Sequence, residues 1–115
     1  MTLGKVLALA DDMKPNAFSD ELKTHWISQC EGMVQLNVLL QAVDEVVVYD
    51  CQTDLDHELM ARAPHDKLYL SYLAAMIDFA NGEYGKYQNT MELFNSQYGE
   101  FMRWYADSYR PADAL

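Results

Sequence analysis

The chain has 115 residues, of which 50% are hydrophobic, and its formal net charge is −10. This length is typical of one domain, and the few Pro and Gly residues argue against a disordered chain. No apolar run reaches the roughly 18 residues of a membrane span, and the excess of acids argues against binding the outside of a nucleic-acid duplex. We therefore expect a single domain over residues 1–115 that does not enter a membrane.

The first part of the chain is predicted to form two helices. Apolar residues recur at helical spacing in residues 2–13, and Pro15 then breaks the pattern. This start lacks a signal-peptide cleavage pattern, so we expect synthesis in the cytoplasm. Ser19 is placed to cap a second helix, because its hydroxyl can accept a hydrogen bond from a backbone amide. The broad apolar stripe that follows predicts a helix over residues 20–41.

The middle of the chain has the composition of a short β element. The sequence EVVVYD, residues 45–50, is β-branched and aromatic, which is typical of a strand. The sequence HELMA, residues 57–61, could pair with it across an acidic turn. A two-stranded hairpin is marginal alone, so it would need helices or a second subunit behind it.

Two further helices are predicted in the second half. From Leu68 to Ala80 only Ser71 and Asp78 are strongly polar, which indicates the central helix. Pro64 suits its start, and Gly82 can adopt the left-handed conformation that ends it. Large apolar or aromatic side chains recur from Tyr84 to Tyr105 at alternating steps of three and four, which is a heptad seam on a helix that ends near Tyr109. The predicted fold class is mostly α, a small helical bundle of about four helices with a short β-hairpin.

The seam on the last helix is predicted to have two roles. A helix of about 25 residues spans roughly 37 Å, more than a domain of this size covers comfortably. We predict that the first half, Tyr84 to Phe94, packs in the core. The second half is predicted to contact another subunit, because interfaces are enriched in Tyr and Trp. The candidates for this contact are Tyr98, Phe101, Met102, Trp104, Tyr105 and Tyr109. Gly85 and Gly99, on a neighbouring stripe, either admit another helix or face solvent.

The negative charge is concentrated in residues 44–58, which hold six acids and no Lys or Arg. Two interpretations remain open: a solvated loop that aids solubility, or a surface past which DNA slides without binding. The six acids are Asp44, Glu45, Asp50, Asp54, Asp56 and Glu58.

The sequence carries no signature of catalysis or of a cofactor. There is no GxSxG, P-loop or HExxH motif, and the acidic run lacks the glycine and the final Glu spacing of a calcium loop. The cysteines and histidines lack zinc-ligand spacing; we expect Cys30 to be a buried thiol and Cys51 a loop thiol. We predict no catalytic, cofactor-binding or metal-binding residues, while His57 and His65, near carboxylates in sequence, leave an enzymatic alternative open.

Three stretches resemble a known family: NAFSDELKTHWISQCEGMV, APHDKLYLSYLAAMIDFANGEYGKYQNTMELFNSQYGEFMRWY and YRP. Over residues 2–111 the chain is similar to the head–tail adaptor (connector, head-completion) proteins of tailed phages and Firmicutes prophages. The resemblance implies a helical bundle with a small β element that forms a ring, typically of about twelve subunits, beneath the portal. The ring would extend the DNA channel and receive the next neck protein or the tail.

The resemblance also implies residue roles and a location. The six acids of residues 44–58 would face the channel and repel phosphates, so that DNA passes without sequence-specific binding. The carboxyl-terminal segment of such adaptors reaches the portal, which would place Tyr109, Arg110 and Pro111 at that contact. The protein would be made in the host cytoplasm and then reside in the virion, at the head–tail neck.

A different interpretation comes from another class of protein. The chain could be a small regulatory or protein-interaction module of a prophage or bacterium that dimerises through its last helix. An isolated dimer would favour this module, whereas a ring or binding to a portal would favour the adaptor.

Overall fold

The computed structural model describes residues 1–109, which form four α-helices around one core. A π-helical turn, Val34–Val38, continues the second helix, and a 3-10 turn, Val43–Glu45, lies in the loop after it. The helices are α1 (Leu3–Met13), α2 (Asp20–Met33), α3 (Lys67–Ala80) and α4 (Tyr84–Tyr109). The prediction of a mostly helical bundle of four helices is confirmed. Among the described helices, none combines the length and hydrophobicity that crossing a membrane requires.

Short polar signals set the ends of the helices. The Ser19 hydroxyl accepts a hydrogen bond from the backbone N–H of Leu22 at 3.1 Å, which satisfies one amide that a helix start leaves without a partner. Thr2 caps α1 in the same way. After α3, Gly82 has a φ of +76°, in the left-handed region that favours glycine. Both predicted signals, the Ser19 cap and the Gly82 stop, are confirmed.

Helix α3 lies at the centre of the bundle and contacts α1, α2 and α4. Its residues Leu68, Leu73 and Ile77 are fully buried, and Phe94 and Phe101 of α4 join the same core. Full burial of one such side chain contributes about 1.5–3 kcal/mol to stability. The prediction of a central third helix is confirmed, with its first residue at Lys67.

Helix α2 ends differently from the prediction of one helix over residues 20–41. From Val34 the hydrogen bonding changes to the wider π pattern, with the Leu39 N–H donating to the Val34 carbonyl at 3.0 Å. Leu40 then has a φ of +57°. This left-handed residue lets the Gln41 N–H turn back to the Gln35 carbonyl at 2.9 Å, so the helix ends there.

The predicted β-hairpin is not found in residues 1–109, where the structure has no strand. Residues 57–59 pair instead with the amino terminus: the Leu59 N–H donates to the Met1 carbonyl and the Leu3 N–H to the His57 carbonyl, both at 3.0 Å. These bonds form an isolated antiparallel bridge, Thr2 to Glu58. Residues 45–50 do not pair with 57–61, because their inward backbone groups bind side chains of α2.

Two partly buried ion pairs connect the helices. Lys14, the residue after α1, binds Asp78 of α3, with Nζ and Oδ1 2.5 Å apart. Lys23 of α2 binds Asp11 of α1, with Nζ and Oδ1 2.6 Å apart, and this holds the pKa of the Asp11 carboxyl below its ordinary value. Asp78 and Lys23 are only 1% and 2% exposed, so each depends on its partner to offset the cost of burying a charge.

Candidate functional site

A polar stripe on α2 holds the loop that follows it. Ser28, Glu31 and Gln35 lie on one face of the helix and are buried. The Gln35 side-chain amide accepts from the Val47 N–H at 2.8 Å and donates to the Val47 carbonyl at 3.2 Å. The Ser28 hydroxyl accepts from the Tyr49 N–H at 3.0 Å. Side chains of α2 and of the π-helical turn that continues it therefore act as the hydrogen-bonding neighbour of residues 47–49.

The Glu31 carboxylate is the hub of this stripe, by which we mean that it accepts hydrogen bonds from several other parts of the chain. Its Oε2 accepts from the Tyr49 hydroxyl at 2.7 Å and from the Met60 N–H at 2.9 Å, and its Oε1 accepts from the Tyr69 hydroxyl at 2.5 Å. Burial, together with the charge of Glu31, raises the pKa of the Tyr69 phenol far above 10.0. Burial and the hydrogen bond to Glu31 raise the Tyr49 pKa in the same way. The phenols stay protonated donors, so the hub is a structural network.

A cleft of about 310 Å³ opens between the start of α2 and residues 48–52. Burial raises the pKa of the Cys51 thiol, and the charges of Glu21 and Asp50 raise it further. The thiol is therefore protonated at neutral pH and is a poor nucleophile. The Glu21 and Asp50 carboxylates give the lining of the cleft a negative charge. The lining residues are Glu21, Thr24, His25, Val48, Tyr49, Asp50, Cys51 and Gln52.

The six candidate acids differ in their surroundings. Asp54 accepts from the Asp50 N–H at 2.8 Å, and Asp50 accepts from the Gln52 N–H at 2.7 Å, so both stabilise the turn. Glu58 binds the amino terminus at 3.0 Å, and this bond lowers the pKa of its carboxyl. Among the six acids, three are exposed and form no hydrogen bond or ion pair within residues 1–109: Asp44, Glu45 and Asp56.

The α4 candidates for a subunit contact fall into a buried and an exposed set. Phe101 is 2% exposed and belongs to the chain's own core, so its prediction as a contact residue does not fit its position. Tyr98 and Tyr105 are half-buried against the core, and the Tyr98 hydroxyl donates to the Met33 carbonyl at 3.2 Å. Met102 and Trp104 are 36% and 43% exposed.

The seam prediction is also corrected at its first residue. Tyr84 is 59% exposed and contacts the exposed ring of Phe79 at 5.5 Å, whereas Phe94 is buried as predicted. The core therefore begins further along α4 than predicted, because α3 ends beside the first turn of α4. Tyr109 is the last residue of α4, and Arg110 and Pro111 lie outside the described residues.

The two histidines of the enzymatic alternative pack against rings. The His65 ring lies 4.9 Å from Trp104 and 5.5 Å from Phe101, measured between centroids. The His57 ring lies 5.0 Å from Tyr49. No group of three His, Cys, Asp or Glu side chains in residues 1–109 is arranged to hold a metal ion. Cys30 is buried and Cys51 half-exposed, as expected.

Sequence reasoning missed the roles of Glu31 and Gln35. The available signal was their spacing with Ser28: three polar residues at steps of three and four on a helix whose neighbours are apolar. Such a stripe indicates a polar network that faces another segment, although spacing alone does not identify that segment.

Comparisons with known proteins add no relative. Neither the protein-family models, nor the curated proteins, nor the solved structures gave a match to this chain.

Proposed function

We propose that this chain is a head–tail adaptor of a tailed phage or prophage, a structural protein without catalysis. Its subunits form a ring beneath the portal, extend the DNA channel and receive the next neck or tail protein. The proposal starts from the resemblance of the sequence and gains support from the exposed surface of α4.

The observation that carries the proposal is the exposure of Met102 and Trp104 on α4. Two residues advance a helix by about 200°, so these side chains lie on opposite flanks of the buried stripe around Phe101. A ring needs two different patches on each subunit, which meet head to tail. The end of α4 supplies one large apolar side chain on each flank, of types enriched at interfaces.

The shape of the domain is compatible with this use of α4. Its principal extents are 49 × 33 × 24 Å, and α4 has 26 residues, a length of about 39 Å. The helix therefore runs along most of the long dimension. Side chains on the two flanks of α4 can contact different neighbouring subunits without a change of fold.

The charge of the chain supports the channel part of the proposal. Asp44, Glu45 and Asp56 are exposed, and the net charge of −10 repels phosphate groups. DNA would then pass the ring without sequence-specific binding. The portal contact assigned to Tyr109, Arg110 and Pro111 remains a prediction.

A second candidate function is the dimeric interaction module. The observation that favours it concerns two α4 glycines: a Cβ at Gly85 would meet no atom within 4 Å, and one at Gly99 only Arg103 Nη1 at 3.8 Å. Neither glycine serves packing within residues 1–109, so both leave room for a helix from a second copy. If the chain is an adaptor instead, both glycines face solvent.

The solution mass decides between these functions. Light scattering would be recorded on the isolated chain and on its mixture with a portal protein from the same phage genome. A ring, or a monomer that joins the portal, supports the adaptor. A stable dimer that ignores the portal overturns it and supports the module.

Variants test the surface itself. Met102→Ala and Trp104→Ala should each weaken ring or portal assembly about tenfold or more, as expected for central interface side chains. Met13→Ala, which truncates a 64% exposed side chain on α1, is the matched control and should leave assembly unchanged. Because Trp104 also contacts His65, unfolding is measured in parallel. Assembly losses no larger than those of Met13→Ala would contradict the proposal.

A further inference from the structure

Val46 has extended backbone angles, and residues 47–49 after it are hydrogen-bonded along one side in the pattern of an extended chain. The Val47 N–H and carbonyl and the Tyr49 N–H all point to α2, where Gln35 and Ser28 bind them. In an extended chain, alternate residues direct their backbone groups to opposite sides. The intervening residue, Val48, therefore directs its N–H and carbonyl away from α2.

That outer edge is open. The Val48 N–H and carbonyl and the Val46 carbonyl have no hydrogen-bond partner within residues 1–109, and Val48 is 71% exposed. An exposed row of backbone donors and acceptors is the template to which an extended peptide adds as a strand. Here α2 takes the place of the inner strand, and no residue of the described chain pairs with the outer edge.

Apolar exposure is concentrated in the part of the sequence that contains this edge. Of the twelve exposed large apolar side chains in the described chain, five lie between residues 36 and 48. Leu40 is 79% exposed and holds the left-handed conformation, which is unfavourable for a non-glycine residue. An exposed leucine in a strained conformation beside a π-helical turn is a combination that clusters at binding sites. The five side chains are Leu36, Leu40, Val43, Val47 and Val48.

The acidic side chains around the outer edge limit which segments can bind to it. Asp44 and Glu45 precede the edge and Asp50 follows it, and no Lys or Arg occurs between residues 24 and 61. Antiparallel pairing with a second copy would place Glu45 of one copy near Asp50 of the other, and like charges across a strand pair are destabilising. A strand flanked by Lys or Arg would meet opposite charges at both ends.

The cleft at the start of α2 lies beside one end of this edge. Val48 of the edge and Asp50, which follows it, both line the cleft, together with Glu21 of α2. A basic side chain near one end of an added strand can therefore enter a negatively charged recess. The Thr24 hydroxyl, at the same cleft, is buried without a hydrogen-bond partner in residues 1–109.

We propose that the outer edge of residues 46–48 binds an extended segment of another protein by strand addition, and that this segment is apolar at its centre and flanked by Lys or Arg. Backbone hydrogen bonds to Val46 and Val48 hold the segment, and its flanking cations pair with Asp44, Glu45 and Asp50. The inference does not rest on the adaptor ring. When the edge is filled, Asp44 and Glu45 contact the segment rather than a channel.

The experiment uses the full chain and three synthetic peptides. The probe is a fluorescein-labelled Lys-Arg-Val-Thr-Val-Thr-Val-Arg-Lys peptide, titrated while backbone amide signals are followed by NMR. The first control replaces every Lys and Arg of the probe with Glu. The second control carries N-methyl groups on every residue of the central Val-Thr-Val-Thr-Val stretch, which removes the donors on both edges of the peptide. The basic peptide should bind and shift the Val48 amide signal, whereas both controls should not bind.

Variants of the protein test the same edge. Val48→Pro removes the outward N–H, which has no partner in the described chain, and should weaken binding about tenfold. Val48→Thr keeps the N–H and should bind as the parent does. Asp44→Asn with Glu45→Gln should weaken binding at low salt and remove much of its salt dependence.

Other outcomes would overturn the proposal. Absence of binding by the basic peptide, or equal binding by Val48→Pro and Val48→Thr, would do so. If the Glu-flanked peptide bound as tightly as the basic peptide, the acids would not select the segment, which would contradict the proposal. A dimer of the parent that Val48→Pro abolishes would show that a second copy fills the edge. The ring proposal is separable, because Met102→Ala and Trp104→Ala should leave peptide binding unchanged.

Discussion

The Tyr69 hydroxyl joins two helices and a loop through two short hydrogen bonds. It donates to Glu31 Oε1 at 2.5 Å and accepts from the Ala61 N–H at 2.8 Å. Tyr69 and Glu31 are 38 residues apart in the sequence, and both are 0% exposed. This link fixes α3 against α2 and holds the residues before α3 in place. The geometry of this link predicts how much stability each mutation in the network costs.

Tyr69→Phe should cost more stability than Tyr49→Phe. Removing the Tyr69 hydroxyl leaves Glu31 Oε1 and the buried Ala61 N–H without partners, a loss of about 3 kcal/mol. Removing the Tyr49 hydroxyl leaves Oε2 with its bond from the Met60 N–H, so the loss is about 1 kcal/mol. Urea unfolding of both variants measures the difference. Equal losses would show that Glu31 is not the hub.

The same phenols predict loss of stability in alkali. The folded state raises the Tyr69 pKa above its ordinary value of 10.0, mainly by burial, so the folded chain keeps a proton that the unfolded chain releases. The free energy of unfolding should therefore fall above pH 10, by about 1.4 kcal/mol per pH unit for this one phenol. Urea unfolding between pH 8 and pH 11 (about the range of phenol titration) measures the slope. Tyr69→Phe should show a shallower slope, and an unchanged slope would contradict the assignment.

Lys14→Met should destabilise the domain through Asp78. Asp78 is 1% exposed, and its second carboxylate oxygen has no hydrogen-bond partner within residues 1–109. Loss of the Lys14 ammonium leaves a buried charge uncompensated, which costs about 3 kcal/mol or more. The double variant Lys14→Met, Asp78→Asn should recover part of this loss. Thermal unfolding of the single and double variants checks the coupling, and additive losses would argue against it.

Leu40→Gly should stabilise the isolated domain. Leu40 holds a φ of +57° with a 79% exposed side chain, so glycine relieves strain and gives up little packing. The expected gain is about 1 kcal/mol, less than the full strain, because glycine also raises the entropy of the unfolded chain. Leu40→Ala keeps the strain and serves as the control. A glycine variant no more stable than the alanine variant would show that the side chain contributes to packing.

The helices were predictable because their signals are local. The spacing of apolar residues marks each helix, and Ser19 and Gly82 mark two helix boundaries. Both kinds of signal depend on residues within one or two helical turns. The central position of α3 also followed from sequence, since a helix with few polar residues must be covered on several sides.

Tertiary structure decided the loop, the polar network and which residues of α4 are exposed. A β-branched run at residues 45–50 favours an extended chain, and it does not specify its hydrogen-bonding partner. The partner proved to be Gln35 and Ser28 on a helix, contacts across 12 and 21 residues. The heptad seam likewise marked one face of α4, and the length and position of α3 determined that Phe101 is buried and Tyr84 exposed. Local periodicity defines a face, whereas burial depends on what the rest of the chain places against it.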